Sequence, residues 1–176
     1  LVLGESGTGK ELVARAIHRL GASRDPMMSL NCAALPDTLF ESELFGHTSK
    51  AFTGARAARK DLFEAAKTKT IFLDEVGEMA PSQQAKLLRV LETRTFRRVG
   101  ANTELLLRAR VVSATNRAQR GRDGDSLRSD LFFRLAGYTL CTPPLRDRKE
   151  DIPDLVEHLL AGFATRHQLG STRVTP

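Results

Sequence analysis

The sequence predicts an α/β fold in which a parallel β-sheet is covered by helices on both faces. Short apolar segments alternate with segments of helical periodicity along the chain, which is the pattern of strands joined by crossover helices. Polar residues follow directly after several of the apolar segments. Because ligands bind at the carboxyl ends of parallel strands, these polar residues are expected to form a site there. The 176 residues, 41% of them hydrophobic, suffice for one domain with a buried core.

A glycine-rich loop separates the first predicted strand, Leu1–Leu3, from a predicted helix over 11–20. The loop reads Gly4-Glu5-Ser6-Gly7-Thr8-Gly9-Lys10, and its strand–loop–helix context is that of a phosphate-binding P-loop. Glycines let backbone N–H groups turn towards phosphate oxygens, and the helix N-terminus adds further donors. Lys10 supplies a positive charge for the outer phosphates. Glu11 stands where Ser or Thr commonly reaches Mg²⁺, and a glycine turn that only caps the helix is the alternative.

Further strands and helices are predicted in order along the rest of the chain. The strands are expected over 29–32, 71–73, 110–114 and 138–142, and the helices over 37–45, 82–92 and 151–163. The ranges 46–58 and 117–126 are expected to be loops, the second because it is rich in glycine and charge. Apolar spacing assigns the inward face of the first helix to Val13, Ala16, Ile17 and Leu20, and that of the last to Ile152, Leu155, Leu159 and Phe163.

Two acidic residues, Asp74 and Glu75, follow the apolar strand over 71–73, and Asn116 follows the strand over 110–114. Beside a P-loop, paired carboxylates suit nucleotide hydrolysis, since one can hold Mg²⁺ and the other can orient the attacking water. The alternative is an acidic turn after a strand. The P-loop, the acidic pair and Asn116 are all expected at one edge of the sheet.

The composition narrows the classes of partner. A formal net charge of +6 is compatible with nucleic-acid binding, but nucleotide binding and a charged subunit interface explain it equally well. The nine Phe and one Tyr do not alternate with basic residues, so a base-stacking surface is not indicated. Cys32 and Cys141 lack metal-ligand spacing and are interpreted as reduced thiols of a cytoplasmic protein. No apolar run is long enough for a membrane span, and no membrane partner is expected.

Several short motifs occur in a fixed order: Gly4–Glu11, Leu30–Leu35, Glu43–His47, Ala51–Ala55, Phe72–Glu75, Lys86–Leu91, Ala114–Arg117 and Pro144–Arg148. On these motifs the chain resembles the central AAA+ domain of bacterial enhancer-binding proteins, the transcription activators of sigma-54 RNA polymerase. The resemblance covers essentially the whole chain. It includes glutamate at position 11, and the Ala51–Ala55 loop is highly specific to this family.

The resemblance implies a P-loop NTPase that binds ATP and Mg²⁺. The nucleotide would be bound by Gly4, Glu5, Ser6, Gly7, Thr8, Gly9, Lys10 and Glu11. Asp74 would coordinate Mg²⁺, Glu75 would position the attacking water, and Asn116 would sense the γ-phosphate. Asn31 would be a switch that holds Glu75 in one nucleotide state and releases it in another.

The resemblance also implies partners. Arg128 and Arg134 match two arginines that reach into the neighbouring subunit, which implies a homo-oligomer, a hexameric ring in the full protein. Phe52, Thr53 and Gly54 would lie at the tip of the Lys50–Ala55 loop that engages sigma-54 RNA polymerase.

Some positions depart from the family pattern. Lys50 stands where the loop normally begins with glycine, and Asp61, Thr68 and Lys69 also replace glycines. An ATP-binding regulatory scaffold with a non-functional sigma-contact loop is therefore one alternative. Another AAA+ remodelling ATPase, chelatase-like or helicase-like, is a second.

The domain organisation implied is a nucleotide-binding α/β subdomain over 1–142, followed over 143–176 by a linker and the first part of a helical lid. The sequence is interpreted as an excised fragment, cut at its N-terminal edge and within the lid, and weak or absent ATPase activity is expected of it alone. DNA would be contacted only through a domain outside this chain.

Overall fold

A computed structural model describes residues 1–21, 25–48, 62–116 and 127–167. The chain divides into two compact units, Leu1–Thr142 and Pro143–Pro176. The predicted loop over 117–126, most of the one over 46–58, and the segment Lys50–Ala55 lie outside the described residues, as does Asp61.

The first unit is built on a five-stranded parallel sheet. Its strands are β1 (Val2–Leu3), β2 (Met28–Asn31), β3 (Thr70–Asp74), β6 (Arg110–Thr115) and β7 (Leu140–Cys141). They lie in the order β2-β3-β6-β1-β7 across the sheet. The helices of this unit are α1 (Lys10–Leu20), α2 (Asp37–Phe45), α3 (Leu62–Ala66), α4 (Pro81–Thr93) and α5 (Ser129–Leu135). The predicted α/β class with a parallel sheet is confirmed.

Apolar side chains cover both faces of the sheet. Along β3, Ile71 and Leu73 belong to a large core cluster, whereas Phe72 between them belongs to a second, smaller cluster. This alternation follows from the two-residue period of a strand. The large cluster takes its bulk from α2, α3, α4 and α5, and the small cluster includes Ala14 of α1. Burial of each large apolar side chain contributes about 1.5–3 kcal/mol.

The inward face of α1 matches the predicted one only in part: Val13 and Ile17 are half-buried and pack against the smaller core cluster, as predicted. Leu20 is 88% exposed and Ala16 is exposed, while Lys10, Ala14 and His18 are buried. These three residues recur every four positions, so they share one side of the helix. The P-loop turns Lys10 inward at the first helical position, and this sets the rotation of the whole helix. Apolar periodicity did not predict the burial of Lys10 and His18, because it gives a charged or polar side chain no reason to face the core.

Several elements were not predicted by the sequence pattern. They are α3, α5 and an antiparallel hairpin formed by β4 (Thr95–Arg97) and β5 (Glu104–Leu106). The hairpin strands are three residues each and carry charged side chains, so they show little alternation. The last strand is shorter than the predicted 138–142, and both residues of β7 are exposed at the sheet edge.

The second unit contains α6 (Ile152–His167), which begins close to the predicted position and continues beyond residue 163. Its predicted inward residues are all exposed: Ile152 39%, Leu155 39%, Leu159 61% and Phe163 53%. The helical prediction is confirmed, whereas the burial of this face is not found in the described residues. Within the described part of the chain, no helix combines the length and the apolar character needed to cross a membrane.

Candidate functional site

The P-loop connects β1 to α1, and its three glycines are required for different structural reasons. Gly7 and Gly9 adopt φ of 79° and 89°, in the left-handed region that side chains disfavour. Gly4 needs space instead, because an added Cβ would lie 2.0 Å from Thr142 Oγ1 and 2.8 Å from the Thr142 carbonyl oxygen. Two glycines therefore shape the loop, and the third lets the loop approach the residue after β7.

Lys10 lies at the N-terminus of α1 with its ammonium group inside the loop. Its Nζ donates hydrogen bonds to the Gly4 carbonyl at 2.9 Å and to the Glu5 carbonyl at 2.8 Å. Only 9% of the residue is exposed. A buried ammonium needs such acceptors, and a phosphate oxygen is an alternative acceptor of opposite charge. The loop thus holds a positive charge beside the free N–H groups of a helix N-terminus.

The remaining P-loop residues divide into exposed and buried positions. Glu5 and Ser6 are exposed at the tip of the loop, and Thr8 is buried. The Thr8 hydroxyl lies 2.8 Å from the Glu5 carbonyl oxygen, to which it can donate. Glu11 accepts a hydrogen bond from Arg15 at 2.7 Å on the exposed side of α1. The structure therefore gives Glu11 a surface ion pair, where a Ser or Thr would have offered a hydroxyl.

Asp74 ends β3 and Glu75 leaves the strand. Asp74 Oδ1 accepts the Glu75 N–H at 2.9 Å, and Glu75 has φ 55° and ψ 42°, a left-handed conformation that is unfavourable for a residue with a Cβ. Such strain is found where the surrounding structure requires an abrupt turn. Here it turns the chain out of the strand directly after the first carboxylate.

The electrostatic surroundings of Asp74 include the P-loop. Burial raises the pKa of the Asp74 carboxyl, and the charges of Glu75 and Glu11 also raise it, whereas the Glu75 N–H and the Lys10 ammonium lower it. Lys10 and Glu11 act on this carboxyl because the end of β3 and the start of α1 are neighbours in space. The structure brings the P-loop lysine and the acidic pair together.

Two asparagines lie at the same edge of the sheet. Asn31 is aligned with Asp74 across β2 and β3, and its Oδ1 accepts the N–H groups of Ala33 at 2.9 Å and Ala34 at 3.3 Å. Asn116 directly follows Thr115, which is aligned with Leu3 across β6 and β1. The polar residues expected to converge are thus at the ends of neighbouring strands. The side-chain oxygen of Asn31 accepts hydrogen bonds from the turn that follows it.

Arg128 and Arg134 lie on or beside α5 and are engaged away from the P-loop. The Arg128 side chain pairs with Asp130 at 2.7 Å on the surface, while its backbone N–H donates to Gln84 Oε1. Arg134 donates from Nη2 to the Leu91 carbonyl at 2.7 Å, near the C-terminus of α4, where a cation is favourable. No contact found in the described residues joins either arginine to the P-loop of its own chain. Their action in a neighbouring subunit stays a prediction.

Cys32 is a site residue whose surroundings sequence reasoning missed. Its N–H donates to the Asp74 carbonyl at 2.9 Å. Burial, together with the negative charges of Asp74 and Glu75, raises the pKa of its thiol to about 12. The thiol is therefore protonated and shielded next to the acidic pair. The available signal was its position directly after Asn31, at the end of β2.

Thr142 is the second residue that sequence reasoning missed. It follows β7, and its hydroxyl lies 2.8 Å from the Thr8 hydroxyl. The same strand-end rule that selected Asp74 and Asn116 would have selected it, because β7 is parallel to β1.

The site suits a metal ion that takes most of its ligands from water and from the phosphates of a bound nucleotide. Within the described ranges, no group of three or more His, Cys, Asp and Glu residues could hold a metal ion. Mg²⁺ is commonly bound through one or two carboxylates together with water and substrate phosphates. Asp74, half-buried beside Lys10 and the P-loop, fits that single-carboxylate arrangement.

The glycine geometry predicts different outcomes for two Ala substitutions in the P-loop. Gly4→Ala places a methyl group against the backbone of Thr142, so β1 and β7 must separate; we expect nucleotide affinity to fall at least about tenfold and the protein to unfold several degrees lower. Gly7→Ala meets open space and suffers only from its positive φ, at about 1 kcal/mol. Thermal unfolding measures the stability of the two variants, and binding of a fluorescent ADP analogue measures their nucleotide affinity. Equal unfolding temperatures for the two variants would contradict the steric assignment of Gly4.

Comparison with known proteins gives consistent similarities. Residues 1–141 match the family described as the sigma-54 interaction domain. The chain is 50% identical over 178 residues to a Nif-specific regulatory protein of Herbaspirillum seropedicae, covering 100% of this chain and 33% of that protein. It is 48% identical to the regulatory protein AtoC of Escherichia coli, covering 100% of this chain and 39% of AtoC. The chain thus spans about a third of the length of these curated relatives.

The structural similarity is equally extensive. A crystal structure of NtrX from Brucella abortus superposes with a TM-score of 0.88 at 34% identity, over 99% of this chain and 39% of NtrX. Crystal structures of NtrX in complex with ADP and with ATP superpose with TM-scores of 0.87 and 0.85.

Proposed function

This chain belongs to the family of sigma-54 interaction domains, and from that premise we propose that it is the ATP-binding and ATP-hydrolysing module of a regulator that remodels sigma-54 RNA polymerase to activate transcription. The observation that carries the proposal is the position of the Lys10 ammonium inside the P-loop, within electrostatic reach of Asp74. A buried cation, a helix N-terminus and an acidic pair form a site for a phosphate chain with a divalent metal.

ATP binding uses the P-loop from Gly4 to Glu11. Backbone N–H groups of the loop donate to the phosphates, and Lys10 exchanges its two carbonyl acceptors for phosphate oxygens. Neutral acceptors are replaced by charged ones, so this exchange is favourable. The ADP and ATP complexes of NtrX, a structural relative, support nucleotide as the ligand.

Hydrolysis assigns different work to the two carboxylates. Asp74 would hold Mg²⁺, which would supply positive charge to offset that of the phosphates. Glu75 orients and polarises the water that attacks the γ-phosphate. Asn116, at the end of the adjacent β6, donates to the γ-phosphate. Asn31 reports the nucleotide state by holding or releasing Glu75: its Nδ2 group can donate to the Glu75 carboxylate while its Oδ1 keeps accepting the turn N–H groups.

Assembly completes the site. Arg128 and Arg134 act on nucleotide held by the next subunit of a homo-oligomeric ring, a hexamer in the full protein. Arginine suits this role because its planar guanidinium binds phosphate oxygens and remains charged. Hydrolysis would then depend on assembly, since neither arginine touches its own P-loop in the described residues.

The partner is sigma-54 RNA polymerase, contacted through Phe52, Thr53 and Gly54 of the Lys50–Ala55 loop. An apolar aromatic flanked by small residues suits burial in a partner, where such side chains contribute most of the binding energy. The module acts in the cytoplasm with its polymerase, and promoter DNA is recognised by a domain outside this chain.

A capture experiment tests the proposal. Sigma-54 is incubated with immobilised protein containing this chain, with and without ADP–aluminium fluoride as a mimic of the hydrolysis transition state. We expect capture to require the nucleotide and to fall at least about tenfold in Phe52→Ala, because an anchoring aromatic is removed. Phe163→Ala is the matched control, since Phe163 is an exposed phenylalanine of α6 in the second unit. Capture without nucleotide, or capture unaffected by Phe52→Ala, would argue against the assigned partner site.

One observation favours a second candidate, an ATP-binding scaffold whose loop does not engage sigma-54. Lys50 places a charged, conformationally restricted residue at the base of the loop where the family has glycine. ATP hydrolysis without capture, with capture gained in Lys50→Gly, would support this second candidate.

A further inference from the structure

Thr142 links the last strand of the sheet to the P-loop through its hydroxyl group. Thr142 Oγ1 lies 2.8 Å from Thr8 Oγ1 and 3.1 Å from the Leu3 carbonyl oxygen. Thr8 Oγ1 in turn lies 2.8 Å from the Glu5 carbonyl oxygen. The two hydroxyls therefore form a chain of contacts from the end of β1, across the loop, to Glu5.

The hydroxyl contacts in this series outnumber the protons that can serve them. Each threonine hydroxyl carries one proton, so two protons serve three oxygen–oxygen contacts. When the Thr142 hydroxyl donates to the Thr8 hydroxyl, the Thr8 hydroxyl can donate to the Glu5 carbonyl. Both contacts within the loop then have a proton. The Leu3 carbonyl still accepts the Thr142 N–H at 2.8 Å. The Thr142 hydroxyl can thus turn towards Thr8 without leaving a strand carbonyl unpaired.

The Glu5 carbonyl is the acceptor for which this arrangement matters. It accepts Lys10 Nζ at 2.8 Å in addition to the Thr8 hydroxyl. When Lys10 turns to a phosphate, Glu5 loses a charge-assisted hydrogen bond and retains the Thr8 hydroxyl as a donor. The Thr142 hydroxyl can donate to the Thr8 hydroxyl oxygen and so helps to hold Thr8 in the position from which it donates to Glu5.

Resting on the proposed function, we propose that Thr142 is a positioning residue for ATP: its hydroxyl group holds Thr8, and through Thr8 the P-loop, in the phosphate-accepting conformation when Lys10 leaves the Gly4 and Glu5 carbonyls. The backbone N–H of Thr142 donates to the Leu3 carbonyl and so continues the pairing of β7 with β1, whereas the hydroxyl acts on the loop. These two roles can be separated, because a valine at this position keeps the shape and the strand pairing.

The experiment compares Thr142→Val with Thr142→Ser, Thr142→Ala and Thr139→Val in the protein that contains this chain. The measured quantities are the Kd for a fluorescent ADP analogue, the KM for ATP, kcat and the unfolding temperature. Thr142→Val is expected to raise Kd and KM roughly three- to tenfold, the size of one hydrogen bond, with kcat within about twofold. Thr142→Ser retains the hydroxyl and should bind within about twofold of the wild type. Thr139→Val removes an exposed hydroxyl near β7 and should change nothing.

The partnership with Thr8 is tested by a double-mutant cycle with Thr8→Val. Because both hydroxyls belong to one series of hydrogen bonds, the double variant should bind little more weakly than Thr8→Val alone. Additive losses, or a Thr142→Ser protein that binds as weakly as Thr142→Val, would overturn the inference. If Thr142→Val fails to fold, Thr142→Ala must show the same loss of affinity relative to Thr142→Ser. A wild-type protein that binds neither ADP nor ATP would overturn the proposed function itself, whereas normal binding by Thr142→Val would overturn the inference alone.

Discussion

Replacing Glu75 with glutamine is expected to lower ATP turnover by about a hundredfold or more while ATP affinity stays within about threefold. Glutamine has nearly the shape of glutamate but cannot accept a proton from water. The left-handed backbone at φ 55° makes the same demand on either residue, so the local fold is preserved. Release of inorganic phosphate measures turnover, and binding of a fluorescent ATP analogue measures affinity.

Glu78→Gln is the matched control for this prediction. Glu78 lies three residues further on, at the end of a short 3-10 helix (Val76–Glu78), and is exposed. The substitution removes an equal charge close to the site, so it separates a general electrostatic effect from the loss of a specific base. Turnover that is unchanged in Glu75→Gln, or equally reduced in Glu78→Gln, would contradict the assigned role of Glu75.

Replacing Arg128 with alanine is expected to lower turnover by about 10³-fold in the assembled protein, the usual contribution of an arginine supplied in trans. The fold should be little affected, because the ion pair with Asp130 is on the surface and is screened by solvent. Nucleotide affinity of the isolated subunit should remain unchanged. The effect on turnover is measured as phosphate release at protein concentrations above and below the concentration at which the subunits assemble.

A mixing experiment makes the trans assignment sharper. Glu75→Gln subunits keep Arg128, and Arg128→Ala subunits keep Glu75, so each inactive variant supplies what the other lacks. In a ring assembled from equal amounts, about a quarter of the interfaces regain both groups, and turnover should rise to that fraction of the wild type. A mixture as inactive as its components would mean that Arg128 does not act on the neighbour's nucleotide.

Arg134 offers an informative contrast. Its guanidinium donates to the Leu91 carbonyl near the end of α4, so it also joins α5 to α4 in its own subunit. Its removal is therefore expected to affect folding as well as turnover, unlike that of Arg128. The sequence treats the two arginines alike because both match the same motif, and only their different contacts separate them.

The central architecture and the positions of the candidate site residues followed from local patterns. The strand before Asp74, the helix after Pro81 and the P-loop are encoded by consecutive residues, because strand and helix periods and glycine turns are short-range properties. The hairpin of β4 and β5 was missed because strands of three residues carry too little pattern. The inward face of α1 was predicted only in part, because the phosphate loop, and not apolar burial, sets the orientation of Lys10.

Local sequence patterns sufficed for the α/β class, the family and the convergence of the polar residues on one edge of the sheet. The tertiary structure alone decided which atoms those residues contact. Thr8 and Thr142 are 134 positions apart, and only the parallel pairing of β7 with β1 brings their hydroxyls to 2.8 Å. The same close approach gives Gly4 its steric reason, which no local turn preference would reveal. Contacts between distant segments depend on how the sheet is ordered, and strand order is a property of the folded chain as a whole.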